Sequence, residues 1–255
     1  MPVVSSRGKL SGSMTPAGPG KVRQERQVVI FAKEPVPGRV KTRLVPPLTP
    51  EEAASCHAAF VEDTAKRLSI ALSPGRSRFS ASVVLAVDPF SACPSLRALA
   101  DRYDLDLIDQ GPGDLGQRMQ RVLGRICREG AHGVLVGADT PDLPTAYIES
   151  AFLYVKRGGV SLGPSPDGGY YLIGTAGPVP DVFRLDSAWG SDAVLGETQS
   201  RLSNIGRPFE MLPPWNDIDV YEDLTATHER LRKATGVAPE DRPVATETVL
   251  RRIIG

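Results

Sequence analysis

What this sequence has little of narrows its reading first. It carries only three cysteines, Cys56, Cys93 and Cys127, in 255 residues. They lie far apart, form no CxxC pair or Cys/His metal pattern, and their odd number argues against a disulfide framework. Buried thiols in a reducing compartment are expected, so the expected location is cytoplasmic. Net charge is also missing: 30 Lys and Arg balance 30 Asp and Glu. That balance gives no support to a general nucleic-acid or membrane-surface binder, and any charge chemistry must come from local clusters. No apolar run reaches the roughly 18 residues that a membrane span requires. His57, His132 and His228 build no Ser-His-Asp or Cys-His arrangement and are expected at surfaces, at helix ends or in a polar helix. Internal repeats and an obvious domain linker are absent as well.

What remains is an ordinary globular composition, 41% hydrophobic and 24% charged, sufficient for one α/β domain with a sizeable core. Residues 1–25 are rich in Ser, Gly and Pro and lack the apolar stretch of a signal peptide, so they are expected to be a disordered leader. Apolar runs predict strands over 27–32, 82–87, 105–109, 133–137, 160–163 and 170–173, with an extended segment over 208–212. Helical periodicity predicts helices after Thr49 and over 94–102, 114–128, 145–156, 191–202 and 220–234. Thr49-Pro50-Glu51-Glu52 has the composition of a capping box with proline in the first turn. The following helix places Ala53, Cys56, Phe60, Thr64, Leu68 and Leu72 on one face. Such alternation implies right-handed βαβ units, a mainly parallel sheet and a Rossmann-like α/β/α sandwich over 26–235. Residues 236–255 read as a C-terminal tail with a short helix over 246–254.

In such a sheet, ligands bind beyond the carboxyl ends of the strands, so the loops there carry the search. The first loop places Lys33, Arg39, Lys41 and Arg43 within eleven residues, stiffened by prolines and turned at Gly38. Four cations with free amides, Thr42 among them, suit a di- or triphosphate. A solvated basic loop is the bland alternative, and the spacing is not that of a Walker A motif. The second loop, Gln110-Gly111-Pro112-Gly113-Asp114-Leu115-Gly116-Gln117-Arg118, leads into a helix whose N-terminus can meet an anion, although Asp114 equally suits a plain cap. The third ends an apolar strand in Asp139-Thr140-Pro141-Asp142, where carboxylates can hold Mg²⁺ or Mn²⁺. Asp142 can alternatively start the next helix. The fourth, Ser165-Pro166-Asp167-Gly168-Gly169, reads as a hairpin turn or as a loop that faces an acceptor. In Trp215-Asn216-Asp217-Ile218-Asp219, the two acids alternate and can share one side, unless Asp219 caps the following helix. Trp189 and Trp215 suit core packing or ligand stacking.

The stretches FAKEPVPGRVKTRL, QGPGDLGQRM, GADTPDLP and LGPSPDGGYYLIG, in this order, resemble a bacterial family of glycosyltransferases with the GT-A nucleotide-diphospho-sugar transferase fold. Members of that family often accompany radical-SAM proteins, some are assigned to arsenosugar biosynthesis, and the family is related to the molybdenum-cofactor and 2-phospholactate guanylyltransferases. The resemblance runs from about Val28 to Leu231. It implies that Lys33, Lys41 and Arg43 meet nucleotide phosphates and that Gly113, Asp114, Gly116 and Arg118 lie near the nucleotide. It also puts Asp139 at the metal-aspartate position, and Asp142, Asp167, Gly168 and Gly169 on the acceptor side. The ADTPD stretch departs from the DxD of many such enzymes, so the second metal ligand falls to Asp217 or Asp219. The implied reaction is divalent-metal-assisted transfer of a sugar from a nucleotide sugar to a small-molecule acceptor, with Asp139, Asp167 and Lys41 as catalytic groups. The rivals are nucleotidyl transfer from an NTP with pyrophosphate release, and nucleotide binding without catalysis. The sequence leaves the oligomeric state open.

Overall fold

A computed structural model describes residues 25–177 and 182–255; residues 1–24 of the expected leader lie outside the described residues. Seven strands form one sheet: β1 (Arg26–Lys33), β2 (Ser82–Asp88), β3 (Asp106–Asp109), β4 (His132–Gly137), β5 (Val160–Pro164), β6 (Tyr170–Thr175) and β7 (Phe209–Met211). Their order across the sheet is β3-β2-β1-β4-β6-β5-β7. Pairing is parallel except at β6, which runs against both β4 and β5. Val28, Val29 and Ile30 of β1 are fully buried, which is why this central strand reads as a continuous apolar run without alternation.

Successive strand residues point to opposite faces, and each face is covered by helices. On one side Val28, Ile30, Leu85, Val87, Val134 and Val136 pack with residues of α1 (Pro50–Ala71), α2 (Pro94–Arg102) and α4 (Thr145–Val155). On the other, Val29, Val84 and Ala86 meet Val122 and Ile126 of α3 (Leu115–Arg128). On that same face Leu135, Leu162 and Ile173 meet Met119 and Leu123 of α3 and Leu202 of α5 (Val194–Asn204). The expected α/β/α sandwich is therefore the observed architecture. The α1 capping box is present, with Thr49 Oγ1 accepting from Glu52 N and Glu52 returning to Thr49 N. The predicted inner face of α1 is buried throughout. Burial pushes the Cys56 thiol up to about 12, leaving it protonated at neutral pH. Among the described residues, no helix is long and apolar enough to cross a membrane.

The domain boundary expected at residue 235 does not end the packed structure. α6 (Tyr221–Lys233) and α7 (Val244–Ile254) join α1 in a further apolar layer, where Leu224, Leu231, Val249 and Leu250 meet Ala53, Cys56 and Phe60. Asp63 of α1 accepts from Ala245 N at 3.1 Å and Thr246 N at 2.6 Å. It thus caps α7 from another helix, satisfying amides that no residue preceding α7 reaches. Replacing Asp63 with Ala is expected to cost about 1–2 kcal/mol, read as a lower urea midpoint together with faster amide exchange over residues 244–254.

Candidate active site

Because β6 alone is reversed, the ends of β1 to β4, the β5–β6 turn and the segment after β7 all reach the same sheet edge. The loop after β1 folds back over this edge. Its hinge is Gly38 at φ 75° and Lys41 at φ 47°, and the Thr42–Leu44 turn of 3₁₀ helix that follows is anchored by fully buried Leu44. A left-handed backbone at lysine costs about 1 kcal/mol, so surrounding contacts must hold it. Buried Val40 and Leu44 pin it, and the Lys41 ammonium adds to them: it lies 2.9 Å from Asp139 Oδ2, donates to the Ile218 carbonyl at 2.5 Å and stands 3.8 Å from Asp219 Oδ1. Arg43 pairs with the other Asp219 oxygen. The Ile218 amide donates to the Asp139 carbonyl at 3.0 Å, which fastens the segment carrying Asp217 and Asp219 to the tip of β4. The basic loop and the acids thus meet in direct contact.

Asp139 is the centre of this cluster. Burial opposes its ionisation, but the Lys41 ammonium, and then His57, hold its carboxyl well below the usual carboxylate range. Its Oδ1 is buried without a hydrogen-bond partner, 3.8 Å from His57 Nδ1. His57 was expected at the surface or at a helix end; instead it lies within α1 with its ring buried, Nε2–H donating to the Lys33 carbonyl at 3.0 Å. Asp217 accepts from Ser165 Oγ at 2.7 Å. Its carboxyl is pushed upward by burial and by the charges of Asp167 and Asp139, against the Ser165 hydrogen bond. Asp139, Asp167 and Asp217 therefore crowd one region with negative charge.

Several expected site residues have structural partners instead. Asp142 is not free for an acceptor: its Oδ1 accepts from Trp215 Nε1 at 3.2 Å, and its Oδ2 from Arg230 at 2.9 and 2.7 Å. The Arg230 guanidinium lies over the Trp215 ring, so this tryptophan is occupied by packing. Arg67, buried on α1, donates to the carbonyls of Pro141 and Leu143 and fixes the same loop from below. Asp219 was a candidate metal ligand, but its oxygens face Arg43 and Lys41. Among the described residues no group of three or more His, Cys, Asp or Glu side chains is arranged to hold a metal ion.

The glycine-rich loop after β3 sits at the same edge. Asp114 caps α3 in a reciprocal box with Gln117, at 2.8 and 3.1 Å. Gly116 is required by packing, since a Cβ there would stand 2.4 Å from the Phe183 carbonyl and 2.5 Å from the Trp189 ring. Arg118 donates to the Gly113 carbonyl and pairs with Asp88 at the end of β2. Arg121 braces the loop through the carbonyls of Gln110 and Pro112. Lys33, Arg39, Thr42 and Gly113 are exposed at this edge. On the opposite flank, exposed Asp167 accepts from Gly169 N at 2.9 Å in a tight turn. Gly168, at φ 89°, presses against Asp192, where an added Cβ would come within 2.3 Å of backbone.

Comparisons with known proteins bear on the fold. A family model described as "Uncharacterized protein conserved in bacteria (DUF2064)" matches residues 72–191. No curated protein matches the chain. Among solved structures, the chain is similar to a provisionally named nucleotide-diphospho-sugar transferase from Desulfovibrio desulfuricans G20. That match has 26% identity and a TM-score of 0.74, covering 89% of this chain and 97% of that one. It is also similar to a cytidylyltransferase from Leptospira borgpetersenii serovar Hardjo-bovis, at 14% identity and a TM-score of 0.55 over 91% and 96% of the two chains. A nucleotidyl transferase from a Methanothermobacter matches at 13% identity and a TM-score of 0.58, over 83% and 100%. The fold is thus nucleotide-diphospho-sugar-transferase-like, and two nucleotidyltransferases are among the chain's structural neighbours.

The Lys41–Asp139 pair yields a signed expectation. A carboxyl held low in the folded state contributes stability above its unfolded pKa, near 4, and loses it as pH falls further. Replacing Lys41 with Met should therefore cost about 1–2 kcal/mol at pH 7, allowing for the partial exposure of Asp139. The difference from wild type should shrink steadily below pH 4 in urea titrations; a gap that stays constant down to pH 2.5 would contradict this pairing.

Proposed function

We propose that this chain is a transferase acting on an activated nucleotide, with glycosyl transfer from a nucleotide-diphospho-sugar to a small-molecule acceptor as its reaction. The observation that carries this reading is the contact of Lys41 with Asp139, which brings a cationic loop and an acid-bearing strand tip within the span of one pyrophosphate. The 26%-identical structural relative named for nucleotide-diphospho-sugar transfer supports the same class.

Asp139 and Asp217 are the residues that would hold Mg²⁺ or Mn²⁺. The unpartnered Oδ1 of Asp139 and the crowding of like charge around Asp217 both fit a cation there. Mg²⁺ is commonly held by one or two carboxylates, with substrate phosphates and water completing the shell. Held there, the ion would supply charge neutralisation for a departing diphosphate. Lys33, Arg39, Lys41, Thr42 and Arg43 supply positive charge and donors to the same oxygens, and the amides around Gly113 with Arg118 border the nucleotide. Asp114 and Gly116 serve this site only by holding the loop and helix in place. On the acceptor flank, Gly168 and Gly169 shape the turn and Asp167 is the base that takes the acceptor hydroxyl proton.

Incubation with a panel of nucleotide sugars and NTPs plus Mn²⁺ tests this reading. Release of a nucleoside diphosphate is expected, falling about 100-fold or more in D139A. Pyrophosphate release from an NTP would assign nucleotidyl transfer instead. Undiminished turnover in D139A would remove the metal assignment.

A further inference from the structure

Lys41 is placed where two functions compete. A nucleotide reading of the basic loop needs its ammonium on phosphate oxygens, yet the folded chain spends it on its own acids. The side chain is only 5% exposed and contacts Asp139 Oδ2, the Ile218 carbonyl and, more distantly, Asp219. The oxygen it covers belongs to the carboxylate assigned above to a divalent cation. An ammonium and a divalent ion on one carboxylate oxygen repel each other strongly at such range.

The surroundings allow Lys41 to leave without collapse of the site. Its backbone is pinned by buried Val40 and Leu44, and its carbonyl accepts from the Leu44 amide at 3.0 Å. The flexible four-carbon stem can therefore swing while the loop stays in place. Asp219 remains neutralised by Arg43 after the ammonium departs. Asp139 Oδ2 is then uncovered, beside an Oδ1 that is buried without a hydrogen-bond partner. A phosphate group entering the cleft offers Lys41 an anionic partner in exchange.

We infer that Lys41 is a resident counter-ion, which a phosphate-bearing ligand draws off Asp139 so that a divalent cation gains that oxygen. This rests on the reading of Asp139 as the metal aspartate. Cation and phosphate ligand then bind with positive coupling, each tightening the other by the same factor. The ligand-free protein binds the cation weakly because Lys41 already occupies the position.

The test is a Mn²⁺ titration of ligand-free protein, followed by the electron paramagnetic resonance signal of the free aquo ion. K41M and K41Q are expected to bind Mn²⁺ on the order of tenfold tighter than wild type. R39Q, which removes the same charge from the same loop without uncovering Asp139, is expected to match wild type in this ligand-free Mn²⁺ titration alone. D139N should lose the site. A second measurement uses the wild type alone: acylation of Lys41 by an amine-reactive ester, read by mass spectrometry. It should be slow in Na⁺ and rise on saturation with Mn²⁺ at matched ionic strength. If D139N binds Mn²⁺ like wild type, the metal reading itself fails. If D139N loses Mn²⁺ but K41M and K41Q bind no tighter than R39Q, or Lys41 labelling does not rise with Mn²⁺, the counter-ion role is overturned while Asp139 keeps its assignment.

Discussion

The charge contact between Lys41 and Asp139 organises the loops at the carboxyl end of the sheet. A carboxylate at the tip of a buried strand is costly unless a cation meets it, and here that cation arrives from a loop nearly a hundred residues earlier in the chain. The contact adds to the hold of buried Val40 and Leu44 on the basic loop and offsets an unfavourable left-handed lysine. Through the neighbouring Ile218 carbonyl it also touches the segment that follows β7, which the Ile218 amide fastens to the Asp139 carbonyl in its own right. One ammonium group thus bridges three separate stretches of chain whose backbones are anchored independently.

Around that contact lies a rigid frame whose components do not themselves face the cleft. Arg67 grips the loop after β4 from the core side, and Arg230 with Trp215 clamps Asp142 from the other. A loop held by buried guanidinium–carbonyl and guanidinium–carboxylate bonds keeps its terminal aspartate in place before any ligand arrives. Preorganisation of this kind limits the reorganisation that binding otherwise requires.

Local signals were legible in the sequence, and pairings between distant segments were not. Strand β1 followed from its apolar run, and the start of α1 from Thr49, Pro50 and Glu52, because these are governed by neighbours in the chain. The cations of the first loop and the acid at the end of β4 were legible as chemistry, since each cluster lies in one short stretch. Asp142 looked like a site residue because its partner, Arg230, is 88 positions away and sits in a polar helix with no distinguishing pattern. His57 was hidden for the converse reason: a lone histidine on a helix face gives no hint that a strand-tip aspartate will lie against it. Gly116 and Gly168 were expected near the nucleotide and on the acceptor side; in the structure each makes room for a neighbouring piece of the protein. The absence of a side chain is visible in a sequence; what fills the resulting space is not.

The reversal of β6 has a consequence for how such a scaffold can diversify. A parallel partner for β4 would require a crossover, whereas the β5–β6 hairpin delivers its turn straight to the working edge. The turn from Ser165 to Gly169 closes through its own short hydrogen bonds. It also answers to α5, whose Leu195 amide donates to the Gly168 carbonyl at 2.8 Å. The tip is thus braced from the antiparallel flank, and a change at exposed Pro166 can be absorbed there without shifting the register of the parallel half, while Gly168 stays bound by its contact with Asp192.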